Sequence, residues 1–550
     1  MIPRDLLIAL VAFLAAGLLA ARIIPLPWAE GGERLLGHRR TPWLLAVLTA
    51  LAFWWVAGAT LDVEPVSTDE AAYLLQARIF AAGHVTAPAP ALPEFFEQAW
   101  VVVTPRLYAK YPPGQSLALA PGVALGLPWL VPLLLNALAG GLIFALLRRA
   151  VGGPAALLCW VAWVLSTMAM SWQTTYFSEV TLLACWLGAL TLGWRWLDGG
   201  DRRWLLGAAA LTAYAVMTRP LSILLLMVPF AVAVVRNVRR TSRWREVAQA
   251  AFLGAVLLLA IPAWNFATTG TVGRSPLREY TETYLPWDRL GFAIDSTAAR
   301  RATPPDLAGI APQLVRVHRE HTVARLPRTL LERAEWVTRQ LFSQWRILLA
   351  LFALVGIWRL RGPGWAAVGA VGAQFFGHAI WGHEAGWTLY YAESAAAWFI
   401  PGAVGVVAAL TWLVGRWRNE TMVPARVALA VLLVVPVLGW LSVGESASYR
   451  EWRARRAADS HALTEMVRTG PGHAIYFIRY GVLRSGRPGL IRNDPWLAEA
   501  RDWIVYDLGA RNDELRRLAP DRAAFLVDVD ARSVTPLPPL SAATPPAGRD

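Results

Sequence analysis

Apolar runs long enough to cross a bilayer recur along most of this chain, and short arginine-rich connections join alternate runs. A run of about 17–25 apolar residues crosses the hydrocarbon core as a helix, because in lipid each backbone N–H and C=O must find its partner inside the protein. About twelve such runs can be read on this criterion. They lie near 6–24, 42–60, 128–147, 154–172, 179–196, 204–218, 220–235, 247–267, 345–359, 363–381, 396–415 and 425–443. Those at 204–218, 220–235 and 345–359 are short and require a thin or protein-lined region. Charged residues make up 16% of the chain, against about 25% in a soluble one, so an integral membrane protein is expected. Cys159 and Cys185 both lie in apolar runs and suggest neither a disulfide framework nor a zinc site.

The net charge of +14 does not point to nucleic acid, because the arginines sit in loops between spans. Arg34, Arg39 and Arg40; Arg148 and Arg149; Arg195, Arg202 and Arg203; Arg236 to Arg245; Arg359 and Arg361; and Arg416, Arg418 and Arg426 form such groups. An excess of Lys and Arg in short loops marks the cytoplasmic side. The long connections at about 61–127 and 268–344, and the chain after about 444, are then expected on the periplasmic or extracellular side of a bacterial inner membrane. The first run reads better as an uncleaved helix than as a signal peptide, since GGERLLGHRR after it has the character of a cytoplasmic loop.

Beyond residue 443 the composition changes. Short β-like runs, AIYFI, DWIVYDL and AAFLVDV, alternate with helix-like REWRARRAADSHALTEMVR and DELRRL. That alternation predicts a small α/β domain over 444–535, followed by a disordered Pro-rich tail, 536–550. No internal repeat is visible in residues 1–443.

The first long connection holds Lys110, the one lysine among 52 basic residues. Lysine is a compact, strongly hydrated point charge, whereas arginine is a rigid planar fork, so the two are not interchangeable where a single phosphate oxygen is gripped. The same connection opens with EPVSTDEAAYLLQARIF. Ser67 or Thr68 can cap a helix whose first turn carries Asp69 and Glu70, where the helix dipole favours carboxylates. The apolar spacing of Ala71, Leu74, Leu75 and Ile79 makes that helix amphipathic and suited to the membrane surface. Carboxylates placed there can serve as a general base or hold a divalent cation.

Asp69–Glu70 just after an early span, a juxtamembrane helix, and then Lys110–Tyr111–Pro112–Pro113–Gly114 together resemble the GT-C superfamily of polytopic glycosyltransferases. That superfamily includes protein O-mannosyltransferases and the lipid A aminoarabinose transferase. YFSEVTLL with Glu179, AVMTRPLSILLL with Arg219, PAWNFATTGTVGRSP, and GWTLYYAESAAAWFIPG with Tyr390, Tyr391 and Glu393 extend the likeness along the chain. The departures are an additional N-terminal helix and a tyrosine between the lysine and the two prolines.

The resemblance implies an all-α polytopic membrane domain, 1–443, with juxtamembrane helices in its first outer loop. It implies an inverting transferase that moves a sugar from a polyprenyl-phosphate donor on the outer face. Asp69 would be the base, with Glu70 and Glu179 orienting the acceptor. Lys110, Tyr111 and Arg219 would hold the donor phosphate, whose leaving charge calls for cations. His383, Glu384, Tyr390, Tyr391 and Glu393 are candidates for substrate contact. His378, His383 and Glu384 have H-x-x-x-x-H-E spacing, but local hydrogen bonding accounts for it more simply than a metal. A divalent cation, Mg²⁺ or Mn²⁺, could sit at Asp69 and Glu179. The acceptor would be a glycan, a lipid or a protein. A flippase of lipid-linked sugars, an oligosaccharide–lipid ligase and a noncatalytic scaffold binding cell-wall polymer are the rival readings.

Overall fold

A computed structural model describes residues 4–61, 65, 67–294, 299–481 and 489–540. Seven helices among these residues are long and apolar enough to cross a membrane, and up to nine if two bent pairs each count as one span. The sequence-based count of about twelve is higher because several apolar runs do not form one long helix. The run at 154–172 divides into Gly153–Val164 and Thr167–Trp172. The run at 204–218 forms a 15-residue helix, Arg202–Val216, and that at 363–381 a 16-residue helix, Gly362–Gly377. Pro220–Leu226 and Val228–Thr241 meet at 47°, and Val323–Leu341 and Gln344–Ile357 at 117°. Proline takes the first or second position of three of these segments, Pro220, Pro229 and Pro363, where its missing N–H costs nothing.

Close packing rests on small residues. Helices Ile347–Ile357 and Ile400–Gly415 approach so closely that a Cβ on Gly402 would lie 2.1 Å from the Leu349 carbonyl oxygen, and one on Gly405 2.0 Å from that of Phe352. Hydrocarbon offers no hydrophobic drive for helices to associate, so close van der Waals contact has to supply it.

The arginine-rich connections meet at one end of the bundle. Arg148 donates to the carbonyls of Leu36 and His38, both at 3.0 Å. Arg243 reaches the Gly200 carbonyl at 2.7 Å, and the Arg22 guanidinium lies 3.6 Å over the Trp417 ring. Guanidinium groups here satisfy carbonyls that helix C-termini leave free.

The opposite end carries the two long connections. In the first, helices Thr68–Ala81 and Gly114–Ala124 flank a small antiparallel sheet of β1 (Ala87–Pro88), β2 (Val101–Val102) and β3 (Arg106–Ala109), in the order β1-β3-β2. The last apolar run continues without a break into a 46-residue helix, Val423–Arg468. At 1.5 Å per residue this is about 70 Å, roughly twice what a bilayer core needs, so the sequence change near 444 falls inside a helix.

That helix leads to a sheet of β4 (Ala474–Arg479), β5 (Trp503–Tyr506), β6 (Ala523–Asp528) and β7 (Ser533–Pro536), ordered β5-β4-β6-β7. Strand β4 pairs in parallel with β5 and β6, and β7 closes the edge antiparallel. Strand β4 is apolar on both faces because both are covered. Tyr476 and Ile478 face one core, while Ile475 and Phe477 pack with Phe95 and Phe96 of the first long connection. Of the Pro-rich stretch at 536–550, residues 541–550 lie outside the described residues.

Candidate active site

The N-terminus of helix Thr68–Ala81 is fixed by a capping box. The Ser67 hydroxyl accepts from the Glu70 N–H at 3.2 Å, and the Ser67 N–H donates to Glu70 Oε2 at 3.0 Å. Glu70 Oε1 accepts from the Tyr176 N–H at 3.0 Å. Both oxygens of this fully buried carboxylate therefore hold backbone, joining the helix start to the segment that leads into helix Ser178–Leu197. Successive helical residues are turned by about 100°, so Asp69 faces elsewhere. Its Oδ1 accepts from the Tyr111 hydroxyl. The Tyr111 ring stacks on Tyr73, with centroids 4.4 Å apart, and Tyr73 donates to the Ser178 hydroxyl at 3.2 Å.

Ser178 leads to the second part of the site. Its Oγ also accepts from Arg219 Nη1 at 3.2 Å, and Arg219 forms an ion pair with Glu179. Arg219 Nε lies 3.4 Å from Glu393 Oε1, and Glu393 Oε2 accepts from Gln374 at 2.7 Å. One guanidinium thus stands between two buried carboxylates, beneath the Tyr390 ring 5.5 Å away. Helix Pro220–Leu226 begins immediately after Arg219, and that break in the backbone places the side chain inside the bundle.

Lys110 is buried, with 6% of its surface exposed. Its ammonium lies 3.7 Å over the Trp100 ring, 5.2 Å from the Tyr111 ring and 5.4 Å from that of Tyr280. Trp100 has a left-handed backbone, φ 67°, unusual for a residue with a Cβ. Three bonds hold it there. Its N–H donates to the Tyr280 hydroxyl at 3.0 Å, its indole N–H to Thr68 at 2.9 Å, and its carbonyl accepts from the Lys110 N–H at 2.9 Å. Strain of this kind costs about 1–3 kcal/mol and persists only where the surroundings over-determine it.

Burial holds the Lys110 pKa below the usual lysine value, and the opposing pull of Asp288 and Asp69 does not restore it. Asp288 is buried too, which disfavours its charge. The hydrogen bond from His318 and the nearby Lys110 charge outweigh that and leave its pKa below the ordinary range. His318 Nε2 lies 3.2 Å from Asp288 Oδ1.

The structure therefore gathers Asp69, Lys110, Tyr111, Glu179, Arg219, Tyr390 and Glu393 around one region. Glu70 adjoins it in a backbone-holding position. His383 and Tyr391 stand behind Tyr390: His383 Nε2 is 3.1 Å from the Tyr391 hydroxyl, and the His383 and Tyr390 rings are 4.4 Å apart. His378 is bonded to the Gln374 carbonyl at 2.9 Å. Glu384 Oε1 lies 3.8 Å from Arg316, and its carboxylate does not join the group. Tyr73, Trp100, Ser178, Tyr280, Gln374 and Asp288 were not picked out from the sequence. Only Tyr73 carried a local signal there, one helical turn after Asp69.

The residues do not suit a resident divalent cation at Asp69 and Glu179. Glu179 is neutralised by Arg219 and Asp69 is bonded to Tyr111. Among the described residues no three His, Cys, Asp or Glu side chains converge as a metal site.

Residues 126–266, which include Glu179 and Arg219, match the family model described as dolichyl-phosphate-mannose-protein mannosyltransferase. That match bears out the resemblance to the GT-C glycosyltransferases. No curated protein sequence matches the chain. Among solved structures it is similar to ArnT from Cupriavidus metallidurans bound to undecaprenyl phosphate, at 16% identity over 90% of this chain and 91% of that one, TM-score 0.47. It is also similar to arabinosyltransferase EmbB from Mycobacterium smegmatis, at 14% identity over 84% and 44% of the two chains, TM-score 0.38. The archaeal oligosaccharyltransferase AglB from Archaeoglobus fulgidus, in complex with an inhibitory peptide and a dolichol-phosphate, gives 13% identity over 78% and 58%, TM-score 0.39.

Proposed function

We propose that this chain transfers a sugar, with inversion, from a polyprenyl-phosphate donor to an acceptor at the outer face of a bacterial inner membrane. The observation that carries the reading is the placement of Asp69 beside Lys110 and Tyr111, facing the Glu179–Arg219–Glu393 cluster. Neither Asp69 nor Lys110 has an opposite charge within ion-pair distance among the described residues, so both remain available to substrate.

Asp69 takes the proton from the acceptor nucleophile, with the Tyr111 hydroxyl orienting its carboxylate. The nucleophile attacks the anomeric carbon as the bond from that carbon to the phosphate oxygen breaks. Polyprenyl phosphate leaves with the electron pair, and Lys110 stabilises the added negative charge, while Arg219, held between Glu179 and Glu393, fixes the facing wall of the site. Cations fixed in a dry site contribute most where charge develops. A single displacement of this kind inverts the anomeric configuration.

The donor's apolar tail also has a place. A groove of about 90 Å³ is lined by Glu393, Arg149 and a majority of apolar side chains such as Trp186, Leu190, Trp194 and Phe230. Its apolar lining suits a short stretch of a polyprenyl chain.

The test uses the full chain in proteoliposomes with a panel of labelled polyprenyl-phosphate sugars, following release of free polyprenyl phosphate. Release by wild type that collapses in Asp69→Asn and Lys110→Ala supports the assignment. Passage of the lipid-linked sugar across the bilayer without release would overturn it.

A further inference from the structure

A second cavity, of about 290 Å³, lies on the other side of the helix that carries Asp69. At 100° per residue, Ala71, Leu74, Leu75 and Arg78 point roughly opposite to Asp69, and all four line this cavity. The opposing wall is the C-terminal sheet together with the segment carrying Arg492. Two features define what would fit there.

The first is charge. Arg78 and Arg492 both line the cavity, and no Asp or Glu does so among the described residues. The Arg492 Nη2 donates to the Pro65 carbonyl at 3.3 Å, which sets the guanidinium at the cavity's edge. Burial pulls its pKa down to about 10, so the buried cation is costly and an anion placed beside it would offset that cost. The nearby amide of Asn493 is already committed, bonded both ways to the Ile504 backbone at 2.8 Å.

The second is position. Pro65 follows the apolar helix Thr41–Leu61, and Pro128 precedes the apolar helix Leu130–Val151; both line the cavity. It therefore sits level with the ends of two spans, where lipid headgroups begin. Leu74 and Leu75 give it an apolar wall. Two cations and an apolar wall at that depth match a molecule with an anionic head and an apolar body.

We propose that this cavity, formed by the Asp69 helix and the C-terminal sheet, binds the phosphate-bearing headgroup of a membrane amphiphile through Arg78 and Arg492. Arg forks suit phosphate because they present paired donors in a fixed plane. The occupant packs behind the helix that positions Asp69 and seats the C-terminal unit on the membrane.

The test is calorimetric titration of the full chain in uncharged detergent micelles with dioctanoyl phosphatidic acid, dioctanoylglycerol and inorganic phosphate. Phosphatidic acid is expected to bind wild type and Asp69→Asn alike, and to bind Arg78→Gln and Arg492→Gln at least tenfold more weakly. Dioctanoylglycerol, which lacks the phosphate, should not bind. Equal affinity in wild type and Arg78→Gln would overturn the proposal, as would equal binding of dioctanoylglycerol. Inorganic phosphate binding as tightly as phosphatidic acid, with the same arginine dependence, would overturn the lipid source in favour of a free anion. Arg78 is exposed, so its variant decides the matter even if Arg492→Gln fails to fold. Binding requires no sugar donor, so transferase activity can fail while this site stands, and the reverse.

Discussion

The ammonium of Lys110 rests 3.7 Å over the indole ring of Trp100, and the same lysine's backbone N–H donates to the Trp100 carbonyl at 2.9 Å. The two residues hold each other. The tryptophan's left-handed backbone turns its ring under the charge, and a desolvated ammonium over an aromatic face gains about 2 kcal/mol. This holds the charge at the site without neutralising it, as an ion pair would.

Lys110→Ala should lower kcat/KM for release of polyprenyl phosphate by roughly 10²–10³-fold, the usual effect of removing one donor from a developing anion. Lys110→Arg should recover little of it, because a planar fork does not fit the pocket of a point charge. Steady-state kinetics on both variants checks this. Activity in Lys110→Ala equal to wild type would remove the lysine from the phosphate site.

Burial lowers the Lys110 pKa, so the lysine loses its proton at a lower pH than a free lysine does. The active form is the protonated one. Activity should therefore decline as pH rises through a value below the ordinary lysine pKa, and bound donor phosphate should move that decline upward. The stability sign is opposite. A buried charge is costly, so removing the proton relieves the fold, and stability from this group rises over the same range. A pH profile of kcat/KM for wild type and Lys110→Arg measures the first effect, and the decline should disappear in any Lys110→Arg activity that remains.

Asp69→Asn should reduce turnover by about 10²–10⁴-fold, the range for losing a general base, while leaving donor affinity nearly unchanged. Tyr111→Phe should be milder, since it removes only the hydrogen bond that orients the carboxylate. Tighter or weaker donor binding in Asp69→Asn by more than tenfold would place that residue on the donor instead.

Arg219→Ala strands Glu179 and Glu393 without a counter-charge in the interior. Breaking a buried pair this way costs about 3–5 kcal/mol, so the melting temperature should fall sharply. The triple change Arg219→Leu, Glu179→Leu and Glu393→Leu should recover much of the stability but none of the activity. Thermal unfolding in detergent, alongside phosphate release, separates the two.

Ser67→Ala removes half of the capping box and should cost about 1 kcal/mol. Because the box fixes the first helical turn, activity should fall with it. Glu70→Ala should lower stability further, since Oε1 also holds the Tyr176 N–H. Full activity in Glu70→Ala would show that Asp69 is positioned by other contacts.

The two acids at the start of the juxtamembrane helix show how far the sequence can be read. Their residue types, the cap before them and the amphipathic run after them located the helix and its first turn. Which carboxylate meets the substrate side and which holds backbone depends on a rotation of about 100°. Ser67 as the cap sets Glu70 at the position that reaches back to it, whereas Thr68 as the cap would not, and the sequence leaves both caps open. Only packing against Tyr111 on one side and Tyr176 on the other decides it.

Lys110 stood out in the sequence because lysine is otherwise absent from the chain. Its aromatic setting did not, because Trp100 is one of 29 tryptophans and Tyr280 comes from a connection some 170 residues away. Asp288 was invisible for the same reason, since nothing local distinguishes it. The number of spans was also hard to read, because hydrophobic length does not reveal a bend such as the 117° turn after Leu341.

The sequence by itself determined that the chain is a helical membrane protein, which end collects the arginines, and that acids and a lone lysine gather in the first long connection. Each follows from transfer free energies and local helix chemistry, which act residue by residue. Tertiary structure alone decided that Asp69, Lys110, Arg219 and Glu393 share one region, because bringing together four charges from distant segments is settled by how the bundle packs and not by any local rule.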